Sequence, residues 1–482
     1  MKLYNSLSRE VETLKPLDPP VVKIYSCGPT VYDNLHVGNW SAYIYWDVLV
    51  RTLLLGDYQV DRIINITDVG HLVSDADDGQ DKLDKAAKRE HVTAWEIAQK
   101  YTTVFLADFK KLQLIEPRQF ARATDFINQQ LEIVHKLKEL GLTYQIQDGI
   151  YIDTSKVADY GKLARLNIKN LQAGARVEFN SQKRNITDFA VWKFSGTDKR
   201  DMEWPTPDNV LDQPSDQPLM GFPGWHLECS AIIYSLLGDQ IDIHTGGIDH
   251  IPVHHTNELA QMEPITHKQL AQIWLHNNHL KVDGTKISKS LGNGYTLGDI
   301  ENKGFTPMDL KMLVLQSHYQ TEGNFSFENL EAAHNRLNTW LRMACLRNQI
   351  FDQQPLDAAD DYSFLAVKHH IFELANDNLK TPQILAAIDN EFLKIDNLLK
   401  DGIELDRRSL IELIEVVDKL LGFDLMDGSK DIPDKYKKLI QERKYARVAK
   451  DFKKSDSLRN LLSQAGILLD DRSRDSYWYY QS

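Results

Sequence analysis

Cysteine is scarce and odd in number: Cys27, Cys229 and Cys345 are the only three in 482 residues. So thin a set does not make the disulfide framework of a small secreted protein, and it points to a reducing compartment. Positive charge is in deficit. The formal net charge is −13, which argues against a non-specific polyanion binder but leaves room for a local basic face. Long apolar runs are missing too. The longest, Tyr43 to Leu55, is broken by Asp47 and Arg51, so no segment is expected to span a membrane. Met1 to Pro16 has no apolar core of signal-peptide type. There is no internal repeat and no low-complexity tract. What remains is an ordinary globular composition, 42% hydrophobic and 26% charged, in a chain too long for one core; about three domains are expected.

The stretch Cys27 to Asn39 reads C-G-P-T-V-Y-D-N-L-H-V-G-N. It follows the strand-like run Val21 to Tyr25 and precedes the helix-like run Tyr43 to Leu55. A strand-to-helix crossover directs backbone N–H groups and the positive end of a helix toward one spot, where phosphate can sit. A second strand is expected over Tyr58 to Thr67, then an acidic loop over Ser74 to Asp81. Alternating strands and helices predict parallel βαβ units. From Pro117 to about Trp225 the character changes: a helix over Thr124 to Leu140, short strands around Ile146 to Ile152, then loops. That pattern suits an insertion. The sheet pattern returns at Asp239 to His244, with a Gly246-Gly247 turn, a helix from His254 and a strand over Gln272 to Leu275. After about Thr306 the chain reads as nearly all helical, with acidic or polar breaks at Asp352 to Asp361 and Met426 to Pro433.

Three constellations carry chemistry. Cys27, Cys229, His254 and Glu258 offer sulfur, nitrogen and oxygen ligands, and His254 and Glu258 share a helix face. On the residues alone, a zinc site and two buried cysteines beside an exposed helix both remain open. Lys286-Ile287-Ser288-Lys289-Ser290 sets two lysines three apart on a Gly-containing loop. Such a loop can offset charge on a leaving pyrophosphate, or simply be solvated. Between Lys435 and Arg459 there are ten Lys or Arg against three acids. Tyr436, Tyr445 and Phe452 are interleaved, and Trp478, Tyr479 and Tyr480 follow. Basic groups with aromatics suit RNA; a solvated helix with core aromatics is the rival reading.

Taken together these stretches resemble the class I aminoacyl-tRNA synthetases. His36-Val37-Gly38-Asn39 is similar to their His-Ile-Gly-His signature, and Lys286 to Ser290 to Lys-Met-Ser-Lys-Ser. Within the class the chain resembles the cysteinyl-tRNA synthetase family, through Tyr25 to Asn39, Leu171 to Val177, Lys183 to Lys193, Gly224 to Ser230, Asp242 to Asp249 and His254 to Ala260. The resemblance implies an α/β fold: a Rossmann-like parallel-sheet catalytic domain with a connective insertion, then an all-α helical bundle and a small C-terminal anticodon-binding unit. The boundaries expected are 1–116 and 225–300 for the two catalytic halves, with 117–224 as the insertion. The stem-contact region is 301–345, the bundle 346–425 and the anticodon unit 426–482.

The resemblance also implies roles. Cys27, Cys229, His254 and Glu258 would hold one zinc ion per chain, with His255 set aside because a helix turns it about 100° from His254. His36, Asn39, Lys286 and Lys289 would be catalytic and, with Gly246 and Gly247, bind ATP and its Mg2+. Cys27, Gly28, Thr67, Trp225, His244 and Asp249 would form the cysteine pocket. Zinc would separate cysteine from serine where an apolar pocket discriminates poorly. The partners expected are tRNA(Cys), ATP and L-cysteine, with a monomeric chain in the cytoplasm and no membrane. Two departures stand out. Val69-Gly70-His71 and an acidic loop replace the family's I-D-D-K, so that Asp81-Lys82 comes late, and Gln320 replaces an arginine. The rival functions are a cysteine:amino-sugar ligase of the same lineage, which would need no basic tail, and an inactive RNA-binding paralogue, which would not need an intact Lys286 to Ser290.

Overall fold

The computed structural model describes residues 1–69, 81–166, 181–196, 200–213, 218–288, 291–349, 363–401, 405–471 and 476–480. Residues 70–80, Leu171 to Val177, Lys289, Ser290 and the break at 352–361 lie outside the described residues.

A five-stranded parallel sheet is the frame. Its order is Ala271–Asn277, Ile241–Gly247, Val21–Ser26, Gln59–Ile66, Gln119–Arg122. The strands are rich in Val and Ile and buried on both faces, as a parallel sheet must be. Side chains alternate across it. Ile24, Ile64, Ile243 and Ile273 join the core that contains helix Val37–Leu55 and the C-terminal helices. Their neighbours Tyr25, Ile63 and Trp274 join the core of the insertion and of helices Trp225–Leu236 and His254–Thr266, as does Ile241 at the start of its strand. Strand Gln119–Arg122 falls within 117–224, yet it is the edge of this sheet, paired with Ile63–Ile66. The sheet therefore runs past residue 116, and the intervening structure begins after its last strand.

That intervening structure has helix Ile127–Glu139 and an antiparallel sheet. The sheet is built from Thr143–Ile146, Gly149–Ile152, Phe189–Phe194, Met220–Pro223 and Trp204–Pro205. At the far edge of the parallel sheet, an N-terminal hairpin (Lys2–Asn5 with Glu10–Thr13) docks on strand Ala271–Asn277. Ser6 N donates to Trp274 O at 2.9 Å, and the Asn5 side chain binds Gln272 O and Trp274 N at 2.9 and 3.0 Å.

Beyond residue 306 come helices Pro307–Leu315, Phe327–Cys345, Leu365–Asn376, Thr381–Asp401 and Arg407–Leu421. A short strand, Gly323–Phe325, interrupts them and pairs with Leu280–Val282. Gln320 accepts from Asn378 Nδ2 at 2.7 Å, so its side chain is held in the fold. A buried charge cluster joins these helices to Val37–Leu55. Lys311 Nζ donates to Asp47 Oδ2, Gly422 O and Leu112 O at 3.2, 3.1 and 3.3 Å. The last unit is two helices, Asp434–Val448 and Phe452–Gln464, with a hairpin, Ile467–Asp471 and Ser476–Tyr480. Trp478 is in its core, and the buried Arg443 grips Asp471 with two bonds of 2.7 Å, so neither is surface for RNA. Tyr445 and Phe452 are about two-thirds exposed, at 66% and 65%. Among the described residues no helix is long and apolar enough to cross a membrane.

Candidate functional site

The site lies at the carboxyl ends of the parallel strands, where open α/β sheets present their ligands. Cys27 follows Val21–Ser26, Thr67 follows Gln59–Ile66, and His244 to Gly247 close Ile241–Gly247. The turn after the first strand is tight. Gly28 N donates to Asn65 Oδ1 at 2.7 Å, and a Cβ on Gly28 would stand 1.5 Å from Asn65 O.

His36 is the N-cap of helix Val37–Leu55, in a reciprocal box with Asn39. Asn39 N donates to His36 Nδ1 at 3.2 Å and His36 N donates to Asn39 Oδ1 at 3.1 Å. Because Nδ1 accepts, the neutral ring carries its proton on Nε2. The loop with Lys286 rests on this cap: a Cβ on Gly38 would meet Ile287 Cδ1 at 2.8 Å. Asn293 braces the loop, accepting from Ser288 N at 2.9 Å and donating to Lys286 O at 3.3 Å. Lys286 is exposed and lies 3.7 Å from Asp249, which also faces His279 Nε2 at 3.3 Å. Thr67 is buried and accepts from Asn65 Nδ2 at 3.1 Å. No described hydrogen bond or ion pair joins Asp249 to Thr67; Asp249 sits with the loop lysine instead.

Behind the cap, Cys27, Cys229, His254 and Glu258 bring one ligand atom each to within 4.8 Å of one another. Cys229 Sγ is 3.4 Å, and Glu258 Oε1 3.0 Å, from His254 Nε2. Apart from that contact with His254, the buried Glu258 Oε1 has no hydrogen-bond partner among the described residues. A second set, Cys27, His244, His255 and Glu258, meets the same limit. His255, turned away in the sequence reading, has Nε2 3.1 Å from Cys27 Sγ. Cys27 lies over the start of the helix, where adjacent residues on either side of the facing line both reach it. His244 is fully buried, donates from Nε2 to Glu258 Oε2 at 2.7 Å, and stacks on Trp274 at 4.5 Å between ring centroids. The ring of Trp225 lies 4.3 Å from that of His254. A Cβ on Gly246 would collide with His255 and His250, at 2.6 and 2.7 Å, so only a bare backbone fits beside these rings. Beside Gly247 the space is open.

Electrostatics treats these groups as one unit. Burial pushes the Cys27 thiol up, but Cys229 and the His255 and His250 rings outweigh it and hold Cys27 well below its ordinary range. Burial, then Cys27, pushes Cys229 well up. Burial opposes charge on Glu258, yet His244 and His254 hold it down to about 2. Against burial, Glu258 holds His254 up to about 10. Burial pushes His255 down to about 3. Two sulfurs, an imidazole nitrogen and a carboxylate oxygen, buried and mutually facing, fit the donor set of a zinc ion.

The sequence reading missed His226, His250 and His276, which surround the cluster. His226 Nδ1 is 3.0 Å from His254 Nδ1, and His276 Nε2 is 2.7 Å from His255 Nδ1. It missed Glu228 as well, buried beside Thr67 and held well above the ordinary carboxylate range by its burial. One signal was available: seven of the 16 histidines lie from residue 226 to residue 276.

The catalytic-domain family described as "tRNA synthetases class I (C)" matches residues 13–335. The chain is similar to cysteine–tRNA ligase 1 of Burkholderia lata, 39% identical over 98% of this chain and 95% of that one. It is similar to cysteine–tRNA ligase of Treponema denticola, 35% identical over 99% of each. In fold it is similar to Mycobacterium tuberculosis methionyl-tRNA synthetase in complex with methionyl-adenylate, with a TM-score of 0.59 at 14% identity, covering 86% of this chain and 94% of that one. It is similar also to LeuRS of Agrobacterium radiobacter K84, with a TM-score of 0.62 at 10% identity over 87% and 86%.

Proposed function

The chain belongs to the class I tRNA synthetase family and, within it, to the cysteine–tRNA ligases; from that premise we propose that its site joins L-cysteine to tRNA through a cysteinyl-adenylate and recognises the thiol through zinc. The observation that carries this reading is the convergence of Cys27, Cys229, His254 and Glu258 beside a capped helix start. These four residues would hold the ion. Bound zinc would supply a soft site for the substrate thiolate, which a serine hydroxyl cannot match. His244 steadies Glu258, and Trp225, against His254, walls the amino-acid side.

The phosphate end is the work of the cap and loop. The N–H groups at the start of helix Val37–Leu55, the His36 Nε2–H and the Lys286 and Lys289 ammonium groups would face the phosphates of ATP, which brings its own Mg2+. Cysteine's carboxylate oxygen attacks the α-phosphorus, and the bond to pyrophosphate breaks. A terminal ribose hydroxyl of tRNA then attacks the activated carbonyl, and AMP leaves. No side chain is needed as a covalent nucleophile; positioning and charge stabilisation supply the rate. Asp249 faces Lys286 Nζ at 3.7 Å. Its role as partner of the cysteine ammonium would therefore require it to exchange that lysine for substrate. The C-terminal unit 426–482, with exposed Tyr445 and Phe452 among lysines, would meet the anticodon.

Pyrophosphate exchange with cysteine or serine, followed by charging of purified tRNA, tests this. Cysteine-dependent exchange with charging is expected. Exchange without charging would turn the reading to an amino-sugar ligase, and absence of exchange to an inactive RNA-binding protein.

A further inference from the structure

A line of hydrogen bonds runs from the N-terminal hairpin into the metal site. Ser6 Oγ lies 2.8 Å from His276 Nδ1. His276 Nε2 lies 2.7 Å from His255 Nδ1. His255 Nε2 lies 3.1 Å from Cys27 Sγ. Both histidines are buried, and the two ends of the first link are 270 positions apart in sequence. The hairpin is fixed where it can make that link, because Ser6 N and the Asn5 side chain bind the strand Ala271–Asn277 that carries His276.

We propose that Ser6 is a positioning residue for cysteine recognition, acting through His276 and His255 on the sulfur of Cys27. The proposal rests on the reading of Cys27 as a metal ligand. A ligating sulfur is a thiolate and only accepts hydrogen bonds. His255 Nε2 must then carry a proton and donate it. A neutral His255 therefore accepts at Nδ1, so His276 donates from Nε2. A neutral His276 in turn accepts at Nδ1, so the Ser6 hydroxyl donates. Each link has one direction: the thiolate at the inner end fixes it, and the Ser6 hydroxyl, by donating to His276 Nδ1, completes it. Take Ser6 away and His276 Nδ1 loses its donor, so that ring is no longer held in the tautomer and orientation that donate to His255. An outer partner of this kind orients a metal ligand and tunes its hold on the ion. The hairpin is thus tied to the amino-acid site through His276 and His255.

The test uses the full chain as isolated. Zinc content is measured first, then zinc loss to a chromophoric chelator, then the KM values for cysteine and for ATP in pyrophosphate exchange. Ser6→Ala should lose zinc about tenfold faster than the unaltered protein and raise the KM for cysteine about tenfold, with the KM for ATP unchanged. Ser6→Thr, which keeps the hydroxyl, should restore both values. His276→Phe, which keeps a ring but no nitrogen, should act in the same direction as Ser6→Ala. Ser8→Ala, on the same hairpin but bonded to Glu12 instead, should match the unaltered protein. Zinc loss and cysteine KM at ordinary values in Ser6→Ala would overturn the proposal. So would a KM for ATP that rises in step with that for cysteine, which marks a general loosening. An unaltered protein that holds no zinc would overturn the metal reading and this inference together, whereas a zinc-bearing protein indifferent to Ser6 would sink only the inference.

Discussion

Lys311→Met should barely change stability at pH 7 and lower it by about 3 kcal/mol at pH 10, relative to the unaltered protein. Lys311 is fully buried and donates to Asp47 Oδ2, Gly422 O and Leu112 O. Burial pushes its ammonium down from 10.5 to about 8, and Asp47 recovers only part of the loss. That fall means the folded chain prefers the neutral amine by about 3 kcal/mol. At pH 7 the charged form is nonetheless held, at that cost. Methionine removes the cost but orphans two carbonyl oxygens, at about 1–2 kcal/mol each, so the two effects nearly cancel. Asp47 is not stranded, because Arg51 Nε at 2.6 Å and Ile115 N at 2.7 Å still bind it. Between pH 8 and 10.5 the unfolded chain keeps a proton on Lys311 that the folded chain has released. Stability of the unaltered protein therefore gains from this group as pH rises. The methionine variant has no such gain, and the gap opens. Urea unfolding at both pH values, followed by tryptophan fluorescence, reads it, since Trp40 and Trp46 lie on the helix that carries Asp47. A variant far less stable at pH 7, with a gap that narrows toward pH 10, would show that the attraction to Asp47 outweighs desolvation and would refute the reasoning.

Lys286→Ala should cut the rate of pyrophosphate exchange by about a hundredfold and leave the KM for cysteine alone, since the lysine belongs to the phosphate side; a raised cysteine KM would move it to the other side. Removal of the metal by chelation should abolish cysteine-dependent exchange while ATP still binds, as equilibrium dialysis would show. Gly28→Ala has no room, with its Cβ 1.5 Å from Asn65 O, and should destabilise by about 3 kcal/mol in thermal unfolding. Asp471→Asn frees Arg443 and Arg447 from their shared carboxylate, at 2.7 Å each. It should weaken the C-terminal unit by about 1–3 kcal/mol and raise the KM for tRNA, with pyrophosphate exchange unchanged.

The sequence made local structure legible where period and composition agree. The runs Val21 to Tyr25 and Tyr58 to Thr67 read as strands, and the structure has strands at Val21–Ser26 and Gln59–Ile66. The parallel α/β class followed from that alternation. What depended on distant partners was opaque. Gln119–Arg122 is only four residues long and looked like the start of something new; its pairing with Ile63–Ile66 defines it. His255 was rejected by a helical angle, but the angle says nothing of where Cys27 sits along the helix axis. Gly246 was read as clearance for a nucleotide; that two histidine rings also crowd it could not be read from a Gly-Gly pair. Trp478 and Arg443 counted toward an RNA surface by type, whereas packing places both inside the C-terminal unit. Ser6 drew no notice, because a lone serine in a hairpin has no signal until the strand beside it is known.

The strand order has a consequence for synthesis. Val21–Ser26 lies mid-sheet, between Gln59–Ile66 and Ile241–Gly247. A ribosome adding about 5–20 residues per second delivers the first neighbour within seconds and the second only some 10–40 seconds later. During that wait the nascent chain carries an unpaired, Val- and Ile-rich strand edge, the kind of edge that recruits other chains. The antiparallel sheet that emerges meanwhile is built mostly from near neighbours in sequence and can close by itself. It would hold the two halves of the central sheet close together before they meet. Any truncation that stops short of residue 241 leaves that edge open for good.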